Sequence, residues 1–104
     1  MNTIICLTET PVWHQGYIKH HLRNPGINMT GSFKGNRLVV NDIYEILFIN
    51  PVGIYSDAEF FANCILDLTD GKCSEAVNSF IEQRIHCNYF LFTEIDELIR
   101  LLRG

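Results

Sequence analysis

A chain of 104 residues, 47% apolar and 19% charged, is too short for two ordinary domains and too apolar to be disordered. A net charge of −4 argues against a dedicated nucleic-acid binder. No apolar run approaches the ~20 residues that span a bilayer, and Met1-Asn2-Thr3 has no basic leader, so residues 1–104 are expected to form a single cytoplasmic domain without a membrane segment.

Thr3 to Thr8 reads as a first strand, because Ile4, Ile5, Cys6 and Leu7 make an unbroken apolar run. Thr10-Pro11 then opens a helix over residues 11–23, with proline suited to the first helical position. Trp13, Tyr17, Ile18, His21 and Leu22 fall on helical spacing, and Asn24-Pro25-Gly26 ends the element. Ile27 to Phe33 is a predicted strand, followed by a turn at Lys34-Gly35-Asn36. Arg37 to Val40 and Ile43 to Ile49 form a hairpin closed by Asn41-Asp42, a pair that tolerates positive φ.

Ser56-Asp57-Ala58-Glu59 resembles a capping box. Phe60, Phe61, Cys64, Ile65 and Leu68 after it predict a helix, closed by Gly71. A further helix spans Ser74 to Ile85, and Cys87 to Phe92 is the last strand. The final helix has acids at its start (Glu94, Asp96, Glu97) and bases toward its end (Arg100, Arg103), matching the helix dipole. The alternation predicts an α/β domain, or an α+β variant. It would have a mixed sheet of four to five strands and about four packed helices. The first and last strands, being most apolar, are expected at the centre and adjacent.

The four cysteines (Cys6, Cys64, Cys73, Cys87) and four histidines show no C-x2-C or H-x3-H spacing. No metal site, cofactor or catalytic residue is therefore expected, and the cysteines read as free thiols. Cys6 and Cys87 could be neighbours with His86 close by, but a mid-strand thiol would be inert. Residues Tyr89 to Leu98, an apolar strand running into Thr93-Glu94, resemble the second acidic motif of P-loop ATPases of the helicase and terminase kind. Ile4 to Leu22 is similar to the strand-helix unit that follows the phosphate loop in that family. Thr93 stands where the family has its magnesium-holding aspartate, and the sequence contains no phosphate loop. The resemblance thus implies a nucleotide chemistry that has been lost.

Charge is divided along the chain: residues 1–41 carry +3 and residues 42–104 carry −7. The basic part interleaves aromatics with bases, so Trp13, His14, Tyr17, Lys19, His20, His21, Arg23, Lys34 and Arg37 are candidate binding residues. The alternative places Trp13, Tyr17, Ile18 and Leu22 in a core stripe. Asp57, Glu59, Asp67, Asp70 and Glu75 are the candidate acidic surface. The expected function is a small cofactor-free protein-binding regulatory module, an adaptor or inhibitor of the size that viruses or mobile elements encode. Its partner would be a protein or a second copy, with nucleic acid less favoured. The alternative is a small enzyme or ligand-binding protein with a His/aromatic pocket at the strand ends.

Overall fold

The computed structural model describes residues 2–23, 25–31, 36–52, 60–85 and 87–103. The described elements are β1 (Asn2–Leu7), α1 (Pro11–His21), β2 (Met29–Gly31), β3 (Arg37–Val40) and β4 (Tyr44–Ile49), then β5 (Cys64–Asp67), α2 (Ser74–Arg84), β6 (Phe90–Phe92) and α3 (Ile95–Arg103). The fold is mixed α/β. Among the described residues there are six strands and three helices, against the expected four to five and about four.

The strands form one sheet in the order β2-β3-β4-β1-β5-β6. β1 is central and pairs in parallel with β4 on one side and β5 on the other, Ile5 meeting Leu47 and Ile65. Its apolarity has a direct cause, since a strand with neighbours on both edges and helices on both faces meets no water. Ile4 to Leu7 are all buried. β3 pairs antiparallel with β4 through the expected hairpin, whose Asn41 and Asp42 have φ of 53° and 55°. Two successive positive φ values match the right-handed strand twist, and the Ile43 N–H donates to the Val40 carbonyl at 3.0 Å to close the turn.

The helices divide between the two faces. α1 and α3 bury Ile18, Leu22, Leu98, Ile99 and Leu102 against Ile4, Cys6, Ile46, Phe48, Cys64 and Leu66. α2 buries Val77 and Phe80 against Ile5, Leu7 and Ile65 on the opposite face. Alternation along each strand supplies both faces.

Three expectations are corrected. Cys64–Asp67 is strand β5, not part of a helix. The apolar spacing from Phe60 to Leu68 matches a helix, but Cys64-Ile65-Leu66 is also a continuous apolar run. Pairing with β1 satisfies its backbone groups and buries both faces. Gly71 does adopt positive φ, 75°, within the turn that follows β5 rather than at a helix end. The last strand is an edge strand, not a central one: among the described strands β6 pairs with β5 alone, and Phe90 and Leu91 are exposed. Its apolarity reflects an uncovered edge instead of a doubly covered centre. Cys6 and Cys87 belong to opposite layers, because Cys6 faces α1 and α3 while Cys87 packs on the α2 side. The residues Ser56 to Glu59 of the predicted capping box, and His86, lie outside the described residues. No helix among the described residues is long and apolar enough to cross a membrane.

Candidate functional site

Adjacent parallel strands whose following helices leave to opposite faces open a crevice at their C-terminal ends. β1 leads to α1 on one face, and β5 leads to α2 on the other. The crevice between them is a cleft of about 270 Å³, reached by Thr8, Glu9, Trp13, His14, Thr69 and Asp70. A second cleft of about 310 Å³ shares His14, Leu68 and Asp70, and adds Thr93, Glu94 and Asp96 from the β6 end.

The floor is set by threonines. Thr8 follows the last residue of β1 and is fully buried. Its N–H donates to the Ile49 carbonyl at 2.9 Å, which extends the sheet by one residue. Its Oγ1 accepts the Thr10 N–H at 3.0 Å and lies 2.6 Å from His14 Nδ1. The expected side-chain cap by Thr10 is absent, and Thr8 turns the chain into α1 instead. On the β5 side the Asp67 Oδ1 accepts the Thr69 N–H at 3.0 Å and the Thr69 hydroxyl at 2.6 Å. This aspartate turn carries Asp70, with φ 56°, to the cleft rim.

His14 sits at the junction of the two clefts. The Thr10 carbonyl oxygen lies 3.2 Å from Nδ1, and an oxygen acceptor there favours the ring proton on Nδ1. That tautomer leaves Nε2 as the acceptor. Burial holds the imidazole below the usual histidine range, against the opposing Thr10 carbonyl and Asp70 charge. The sign for stability follows. Below the ordinary value of about 6.5 the unfolded chain protonates first, so folding is favoured above that pH and weakened as pH falls. Melting temperatures measured from neutral pH down through this range should therefore fall more steeply for the wild type than for His14→Gln. Parallel curves would show that His14 titrates alike in both states.

The rim is acidic. Glu9, Asp70, Glu94 and Asp96 are exposed around the two clefts, and among the described residues Lys72 is the one lysine or arginine lining them. Glu9 Oε1 accepts the Cys73 thiol at 2.7 Å, and that bond, with lesser help from burial, raises the thiol above its ordinary range. Cys64 is pushed up to about 11 by burial, aided by the Glu97 charge. Burial likewise raises Cys6, with Cys64 beside it. These are protonated, unreactive thiols at neutral pH. All four cysteines are free. Among the described residues no group of three or more His, Cys, Asp or Glu side chains is placed to hold a metal ion.

The sequence candidates separate into distinct places. Trp13 is 61% exposed at the cleft, so it is not part of the buried stripe of α1, which is Gln15, Ile18 and Leu22. Trp13 stacks on Tyr17 with ring centroids 5.4 Å apart, and Tyr17 lies 4.2 Å from His21. His14 meets the Trp13 ring edge-on at 5.0 Å. The result is an aromatic row along α1 that starts at the cleft. Lys19, His20, His21 and Arg23 lie toward the far end of α1. There Arg103 donates to the His21 carbonyl at 2.9 Å and helps form a separate basic cleft of about 460 Å³ with His21 and Arg23. Arg37 lines none of these clefts and bridges to Glu45 of the neighbouring strand at 2.6 Å. Asp67 is spent on its own turn, and Glu75 lies exposed in the first turn of α2. Lys34, Asp57 and Glu59 lie outside the described residues.

Sequence reasoning missed Thr8 and Glu9 as parts of the site, and it read Glu94 and Asp96 as acids at a helix start. The available signal was positional: each follows the C-terminal end of a parallel strand. No known protein family, curated protein or solved structure matches the chain.

Proposed function

We propose that this protein is a binding module, of adaptor or inhibitor type, that takes a basic segment of a partner protein in the acidic clefts at the strand ends. The observation that carries the reading is the exposed Trp13 ring standing beside the acidic rim at the β1/β5 fork. An aromatic face flanked by carboxylates suits a lysine or arginine side chain, which gains cation–π attraction and ion pairing together. Trp13 is the only tryptophan, so its fluorescence reports this site alone. Titration with a tetra-arginine peptide at low salt should change that emission saturably. The change should weaken at high salt and in Asp70→Asn. A flat response, or an equal response to tetra-glutamate, would remove the proposal.

A second reading has one specific observation in its favour. The His14 imidazole at the junction of the two clefts, its Nδ1 held by Thr8 and Thr10, is what a small-ligand site or a general base would present. His14→Ala separates the two readings. Peptide binding carried by Trp13 and the rim carboxylates should survive it, whereas a ligand site built on the imidazole should not.

A further inference from the structure

A sheet edge offers backbone groups to any strand that can reach it, and most proteins guard such edges with lysine, proline, a bulge or a covering element. β6 ends the sheet and has none of the first three. The Phe90 N–H donates inward to the Asn63 carbonyl at 3.1 Å. By strand alternation the Leu91 N–H and C=O then point outward, away from β5. Phe90 is 73% and Leu91 53% exposed, and they lie on opposite faces of the edge.

On the α1/α3 face, Phe90 and Phe92 form one wall of an apolar groove of about 530 Å³. Leu98 and Leu101 of α3 form the other wall, and Glu97 and Arg100 sit along it. The first turn of α3 is acidic and its last turn basic. A two-fold axis through Leu91, normal to the sheet, would lay a second β6 antiparallel to the first. It would also bring the two α3 helices side by side in opposite directions. Each acidic start then faces a basic end, and Glu97 of each copy meets Arg100 of the other. The surface is complementary to itself, which is the requirement for an isologous interface.

We infer that the β6 edge and its groove receive a second copy of this chain, joining two sheets into one through an antiparallel β6–β6 pair locked by reciprocal Glu97–Arg100 contacts. The inference is independent of the acidic clefts, which lie at the other end of the groove's strands. Sedimentation velocity across a concentration series should show a monomer–dimer equilibrium. Glu97→Arg or Arg100→Glu alone should weaken it by about tenfold or more, because like charges then face each other across the axis. The double variant Glu97→Arg/Arg100→Glu should restore it. Arg100 is exposed and Glu97 half-buried, so circular dichroism of each variant must match that of the folded wild type before its association is compared. Leu91→Pro provides a second route, since it removes the outward N–H without touching the bond to β5. A monomer at every concentration would overturn the inference. So would a dimer indifferent to the single reversals, a double variant that stays monomeric, or a complex formed only with other strand-forming peptides.

Discussion

Replacing Ile5 by alanine is expected to destabilise the protein by about 2–5 kcal/mol, the range for a buried aliphatic truncated in a core. Ile5 is fully buried in the central strand. It is in register with Leu47 on one side and Ile65 on the other, and it belongs to the layer that contains Val77 and Phe80 of α2. The strands on both sides are fixed by backbone pairing, so they cannot close the cavity. The cost should therefore lie in the upper part of that range. Urea unfolding should show a lower midpoint with an unchanged slope. A loss below about 1 kcal/mol would contradict a rigid, doubly flanked central strand.

Trp13→Ala should behave in the opposite way. The ring is 61% exposed and its close partners are the neighbouring Tyr17 and His14 rings of the same helix. Loss of the stacked pair should cost no more than about 1 kcal/mol of stability. Binding of the tetra-arginine probe should fall by about 2 kcal/mol, roughly thirtyfold, as for an aromatic anchor at an interface centre. The variant lacks the fluorophore, so calorimetry is the appropriate measurement. Unchanged affinity would show that the ring is a bystander and that the carboxylates act alone. The pair of variants separates the core from the proposed site: Ile5→Ala should lower stability and Trp13→Ala should lower peptide binding.

The charge division read along the chain takes a different form in space. The +3 and −7 segments interleave in the sheet, since β4 from the acidic segment lies between β3 and β1 of the basic one. What the fold creates is polarity along the strand direction. Glu9, Asp70, Glu94 and Asp96 gather at the C-terminal strand ends, while His21, Arg23 and Arg103 gather at the opposite end of α1 and α3. Glu9 belongs to the basic segment and Arg103 to the acidic one. Each joins the pole of opposite sign because chain direction, not chain position, places it. The candidate site was legible in Trp13, His14 and Asp70. Their assembly was not, because the three residues come from α1 and from the turn after β5, a region that reads as the end of a helix.

Local chemistry alone was enough for β1, the Asn41-Asp42 hairpin, α2 and the α/β class. Each rests on interactions among near neighbours: an apolar run, a turn that needs positive φ, a helical period. Strand order, the identity of β5 and the exposure of β6 are decided only by the assembled sheet. A short apolar run such as Cys64-Ile65-Leu66 satisfies either period, and the backbone partner offered by β1 settles which it follows. The same apolarity at Phe90-Leu91-Phe92 signifies an edge, because burial depends on what lies beside a strand rather than on the residues within it.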